Sequence, residues 1–259
     1  QLDQARKTSI ELLKHFPHSS TLHNLCGAAH AGLMDYGAAI ESYKRALKFK
    51  PDYSDVYCNM GHALKENGDL DSAIVSYEQA LKFNPVDIDA RASMANVLKE
   101  KGDFNAAITN YKQALKLQPN YAEVHFNMGN AFTENGEPDE AKYSYKQAIK
   151  FKPDYAEAYN NLGNVLKDQG KLDTAIESYK QATVLRSDYA EAHNNLGNAL
   201  QANGDLDAAI DSYTRALELK PDYAEAHNNN GNALKDKNKL AAAKKSYERA
   251  LKIKPDYAD

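Results

Sequence analysis

Apolar and polar positions follow one rhythm along the whole chain. Within residues 156–189, Ala158, Leu162, Val165 and Leu166 recur at helical spacing and predict a helix from about Ala156 to Asp168. Leu172, Ala175, Ile176, Tyr179, Ala182 and Leu185 then share one face of a second helix. Gly170 lies between the two, where a left-handed residue is needed to end the first helix. Asp154 and Glu157 stand three residues apart ahead of that first helix. They predict a capping box, with Asp154 accepting from a free backbone N–H and Glu157 reaching back. Each unit reads as a helical hairpin, closed in most cases by a proline that cannot continue a helix.

The hairpin repeats. Pro17, Pro51, Pro85, Pro119, Pro153, Pro221 and Pro255 lie on one 34-residue grid, whose vacant point holds Ser187. Ala39, Ala73, Ala107, Ala141, Ala175, Ala209 and Ala243 share that spacing, as do Tyr43, Tyr77, Tyr111, Tyr145, Tyr179, Tyr213 and Tyr247. A fourth column is Gly27, Gly61, Gly129, Gly163, Gly197 and Gly231, with Ala95 in the remaining slot. Four columns in phase are the signature of a repeat array. The glycine is expected where the first helix presses on the second, the alanines at close approaches, and the tyrosine in the space between. No hairpin buries both its faces alone, so stacked neighbours are expected to form one continuous core.

These residues resemble the tetratricopeptide-repeat family, whose pattern in 190–223 falls on His193, Leu196, Gly197, Leu200, Ala209, Tyr213, Ala216 and Pro221. The resemblance implies an all-α, right-handed superhelical solenoid of helix-turn-helix repeats that binds proteins and has no catalytic role. The expected units are 20–53, 54–87, 88–121, 122–155, 156–189, 190–223 and 224–257. Residues 1–19 match the second helix of a preceding repeat, and 258–259 the start of a following one, as in a piece of a longer array. Two units are irregular. In 122–155, Pro138 replaces Leu and Lys142 replaces Ile; the proline is tolerable only near the start of its helix. In 224–257, Asn230, Asn238 and Lys244 take the Leu, Gly and Ile slots, which predicts looser packing.

Composition then narrows the function. With 42% hydrophobic and 26% charged residues the chain is of globular type. A net charge of −4 from interspersed acids and bases leaves no basic stripe for nucleic acid. No apolar run approaches the ~18–20 residues of a membrane span, and Gln1 to Arg6 form no signal peptide; a cytoplasmic location is favoured without being fixed. Cys26 and Cys58 are too few for a disulfide framework or a zinc site and read as small reduced fillers. No nucleophile elbow, phosphate loop or HExxH motif is present, so neither catalytic residues nor a cofactor is expected. His125, His193 and His227 share a column, but successive repeats hold them too far apart to ligate one metal at about 2 Å.

The informative residues are asparagines on the first helix. The sixth position of each unit holds Asn59, Ser93, Asn127, Asn161, Asn195 and Asn229 from the second unit onward. The ninth holds His62, Asn96, Asn130, Asn164, Asn198 and Asn232, and the fifth includes Asn160, Asn194 and Asn228. Asparagine is a poor interior helix former, so a regular column needs a reason. Its amide both donates and accepts, and such a ladder can hold the backbone of an extended peptide whatever its side chains. This resembles the asparagine ladder in the superhelical arrays of the O-linked N-acetylglucosamine transferases and similar bacterial repeat proteins. Alternatively, the amides bridge adjacent repeats. The candidate peptide-binding residues are Asn59, Asn96, Asn127, Asn130, Asn161, Asn164, Asn195, Asn198, Asn229 and Asn232. Lys65, Lys99, Lys167 and Lys235 at the twelfth position and Glu66, Glu100, Glu134, Asp168 and Asp236 at the thirteenth suggest a neutral to basic extended segment as partner. Two other roles stay open: a substrate-docking arm of a larger enzyme, such as a glycosyltransferase, and self-association through apolar residues near the ends. The latter include Leu2 and Leu13 at one end and Tyr247, Leu251 and Ile253 at the other.

Overall fold

The computed structural model describes residues 1–255, which form fifteen α-helices and, among the described residues, no strand. The start of a further repeat at 258–259 and the end of 224–257 lie outside the described residues. The chain divides into two compact units, 1–135 and 136–259. The first holds α1 (Leu2–His15), α2 (Ser20–Gly32), α3 (Tyr36–Phe49), α4 (Ser54–Glu66), α5 (Leu70–Phe83), α6 (Ile88–Glu100), α7 (Phe104–Leu117) and α8 (Ala122–Glu134). The second holds α9 (Pro138–Phe151), α10 (Ala156–Asp168), α11 (Leu172–Leu185), α12 (Ala190–Ala202), α13 (Leu206–Leu219), α14 (Ala224–Asp236) and α15 (Leu240–Ile253). Even-numbered helices lead a hairpin and odd-numbered ones trail. Within each unit every helix packs on the next, and successive leading helices also touch.

Chain stops set this regularity. Gly170 ends α10 with φ +73°, and Met34 and Asn238 take the same left-handed conformation at φ 61° and 58°. Pro138 is the first residue of α9, where its missing N–H costs nothing. The predicted capping box does not form. Tyr155, not Asp154, is the cap residue of α10, and its side chain makes no capping bond. Asp154 stands one residue too early to reach the free N–H groups, and Glu157 pairs instead with Arg186. Aspartate caps occur on four trailing helices, where Asp35, Asp69, Asp103 and Asp205 accept from the third N–H of α3, α5, α7 and α13, and on the leading helix α6, where Asp87 accepts from Ala90 N–H at 2.9 Å.

The core is the predicted set of columns. Tyr77, Tyr111, Tyr179 and Tyr213 are fully buried, as are Ala73, Ala107, Ala175 and Ala209. A Cβ added at Gly163 would lie 2.6 Å from Tyr179 Cε1, so the glycine lets the leading helix rest on the ring. Ala95 fills this slot above Tyr111 with both residues fully buried, so one methyl group is accommodated there.

Asn230 departs from the pattern as its sequence suggests. It occupies the leucine slot of Leu162 and Leu196, is 9% exposed, and its Oδ1 has no hydrogen-bond partner. A buried unsatisfied carbonyl is destabilising. Replacing Asn230 by Leu is expected to raise unfolding free energy by about 2 kcal/mol. Urea denaturation followed by circular dichroism measures this; an unchanged or lowered midpoint would show that the amide is satisfied.

Candidate functional site

The sixth and ninth positions lie three residues apart on the leading helices and so share a face. The first unit carries Asn59, Asn96, Asn127 and Asn130, and the second Asn161, Asn164, Asn195, Asn198, Asn229 and Asn232, all half-buried.

Each column spends one half of its amide inside the fold. In the ninth column the core tyrosine fifteen residues onward donates its hydroxyl to the carbonyl: Tyr111 to Asn96 at 2.6 Å, Tyr179 to Asn164 at 2.7 Å, and Tyr213 and Tyr247 to Asn198 and Asn232, each at 2.8 Å. Burial raises the pKa of the Tyr111, Tyr179 and Tyr213 hydroxyls, which keeps them protonated as donors. The Nδ2 groups of Asn96, Asn164, Asn198 and Asn232 are left without a protein partner among the described residues. In α4, His62 takes the ninth position and meets Tyr77 ring edge to face, centroids 5.5 Å apart.

In the sixth column three asparagines spend the opposite half, while Asn161 Oδ1 accepts from Asn160 Nδ2 at 3.3 Å. Asn59 Nδ2 donates to Asn24 Oδ1 at 3.2 Å, Asn195 to Asn160 at 3.0 Å, and Asn229 to Asn194 at 3.1 Å. Each bond joins a leading helix to the preceding one. The Oδ1 atoms of Asn59, Asn195 and Asn229 have no protein partner among the described residues. In the fifth column Asn160 and Asn194 are therefore not part of the exposed face, whereas Asn228 is half-buried. Asn160 and Asn194 are fully buried between helices because they receive these bonds. Asn194 also donates to Glu225 at 3.1 Å. The sixth-column bonds are the bridges between adjacent repeats that the sequence left open as an alternative; the tyrosine pairing was missed, although the constant fifteen-residue offset from asparagine to tyrosine is a visible signal.

In the first unit Asn96 and Asn127 line one open pocket of about 450 Å³ with Lys65, Lys99, Glu100 and Glu134. Two cations and two anions leave it balanced. Lys65 pairs with Glu66 at 3.1 Å, and in the second unit Gln201 donates to Asp236 at 2.9 Å. Three acids at the second position have side-chain partners: Glu157 and Glu225 bind Arg186 and Asn194, and Asp89 accepts from Tyr121 at 3.3 Å.

The histidine column has a structural task. His23, His125 and His227 donate Nε2–H to the carbonyls of Pro17, Pro119 and Pro221 at 3.0, 2.9 and 3.0 Å, and His193 to Ser187 at 3.4 Å. Arg91 does the same to Pro85 at 2.9 Å. Among the described residues no three His, Cys, Asp or Glu side chains are grouped to hold a metal. Cys26 and Cys58 are free, and burial pushes the Cys58 thiol up to about 12, far from a reactive thiolate. At the ends, Leu2 and Leu251 are exposed, whereas Leu13, Tyr247 and Ile253 are half-buried. No helix among the described residues is long and apolar enough to cross a membrane.

Burial lowers His125 and His193 below the usual histidine range, although their carbonyl bonds act the other way. The fold holds these rings neutral while the unfolded chain takes up protons below about 6.5. Their contribution is complete above that pH and is lost as pH falls through the lower folded values. The urea midpoint is expected to fall between pH 7 and pH 5. The double variant His125→Tyr/His193→Tyr, with the residue found at Tyr57 and Tyr159, is expected to flatten that fall. An unchanged slope would assign it to other groups.

Hairpins of a 13-residue leading and a 14-residue trailing helix, with a polar face on the leading helices, define an α-helical repeat scaffold. The chain belongs to the tetratricopeptide repeat family. Its TPR repeat model matches residues 35–68, 95–136, 129–170 and 163–204, and tetratricopeptide repeat models match 54–86, 190–223 and 224–257. The class is one of protein-interaction scaffolds. No curated protein sequence matches the chain. Among solved structures, MamA is 30% identical with a TM-score of 0.60, over 63% of this chain and 96% of MamA. YrrB, described as a TPR protein with an unusual peptide-binding site, is 21% identical with a TM-score of 0.61, over 72% of this chain and 96% of its own. Pseudomonas aeruginosa pilF is 20% identical with a TM-score of 0.68, over 78% and 92% of the two chains. At these identities the last two attest the fold alone.

Proposed function

We propose that the chain is a scaffold that holds an extended, neutral to basic segment of a partner protein along the asparagine face of its leading helices. The observation that carries this reading is the half-used amide. Among the described residues the Nδ2 groups of Asn96, Asn164, Asn198 and Asn232 remain free to donate and the Oδ1 atoms of Asn59, Asn195 and Asn229 remain free to accept. A peptide backbone offers the complementary pair at every residue. The internal bonds fix which way each amide points, so the face is pre-organised rather than adaptable. The peptide-binding site named for YrrB is in keeping with this use of the fold.

Magnitudes set the expected affinity. Three donors and two acceptors in the second unit, at about 1 kcal/mol each, supply roughly 5 kcal/mol. A micromolar complex needs about 8 kcal/mol, so side-chain contacts of the partner must supply the rest. Selection of a displayed random twelve-residue library on the purified chain tests the proposal. Enriched peptides are expected to bind at micromolar strength without one shared side-chain motif. Failure to enrich any peptide would count against it.

A further inference from the structure

The second unit carries a groove unrelated to the asparagine columns. It lies between α9 and α11, over α10, and encloses about 730 Å³. That volume is within the usual range of ligand sites. Its floor is Tyr159, Leu162 and Leu166. At roughly 100° per residue these lie on the side of α10 opposite Asn161 and Asn164. Its rim is basic: Lys142 and Lys146 come from α9, Lys171 precedes α11, and Lys180 lies on α11.

Lys142 is the key departure. It stands in the column that holds Ile40, Ile74, Ile108, Ile176 and Ile210, with Lys244 the other departure, so an ammonium replaces a branched hydrocarbon. Its Nζ lies 2.5 Å from Asp139 Oδ1 and 3.4 Å from Gln169 Oε1. Lys171 Nζ lies 2.9 Å from that same Gln169 Oε1. Two ammonium groups thus converge on one neutral carbonyl. Lys146 and Lys180 are exposed and have no carboxylate partner among the described residues. Four cations face two anions, Glu177 in the groove wall and Asp139 beside it. By contrast, the pocket around Asn96 and Asn127 is balanced.

We propose that this groove docks an acidic segment of a partner protein, with an aliphatic side chain seated on Leu162 and Leu166 and flanking carboxylates on the lysines. The apolar floor favours this occupant over nucleic acid, because recessed leucines offer bases no flat stacking surface. The scaffold then has two docking faces of different chemistry on one helix.

The test is fluorescence anisotropy with a labelled twelve-residue glutamate-rich probe carrying two central leucines. Binding is expected to weaken as salt rises from 50 to 200 mM, as contacts between opposite charges do. The double variant Lys146→Glu/Lys180→Glu, at two exposed positions, is expected to lose about tenfold or more in affinity. Lys142→Ile, which restores the column residue, is expected to lose severalfold with the fold intact by circular dichroism. Absence of binding, indifference to both lysine variants, or equal competition by a single-stranded oligonucleotide would overturn the proposal.

Discussion

Replacing Tyr179 by Ala is expected to lower the stability of the second unit by about 4 kcal/mol, the cost of emptying a large aromatic site in a packed core. Tyr179 is fully buried, and its ring supports the backbone of α10 at Gly163. With the ring gone the leading and trailing helices of that hairpin have little to hold them at their spacing. Each hairpin is stabilised chiefly by its neighbours, so the loss is expected to spread to the hairpins on either side. Tyr179→Phe separates ring from hydroxyl. It removes only the 2.7 Å bond to Asn164, whose carbonyl can then turn to water, and is expected to cost about 1 kcal/mol. Urea unfolding of the two variants measures both values. A loss below about 1 kcal/mol for the alanine variant would mean that the tyrosine column is not the spine of the core.

The second large effect is functional. Asn164→Asp/Asn198→Asp/Asn232→Asp keeps the oxygen that each core tyrosine needs and converts each open donor into an acceptor. The fold is expected to survive, because the tyrosine bonds persist. Affinity for a library-selected peptide is expected to fall about a hundredfold, three lost bonds at about 1 kcal/mol each. Substituting Asn195 or Asn229 would be less decisive. Their Nδ2 groups satisfy the buried carbonyls of Asn160 and Asn194, so those variants lose stability as well as any contact.

The hairpins were legible because one packing solution recurs at each repeat. Glycine under tyrosine, alanine at the close approach and glycine at the helix stop each leave a column in the sequence. The cap of α10 was misread by one residue: a capping box fixes spacing but not register, and Tyr155 rather than Asp154 takes the cap position. The asparagine columns were visible, but their division of labour was not. Whether Asn195 points to a peptide or to Asn160 depends on how far one hairpin is rotated against the last, which no single unit encodes. The lysine groove stayed hidden for a related reason, since its four cations come from two helices and the turn between hairpin arms. Only Lys142, standing where isoleucine belongs, marked the place.

Side-chain amide resonances report most directly on the asparagine face. Titrating a ¹⁵N-labelled chain with a selected peptide should shift the Nδ2 signals of Asn164, Asn198 and Asn232 and leave those of buried Asn160 and Asn194 in place. A peptide that saturates the chain while all three exposed amides stay unmoved would contradict backbone capture by these columns.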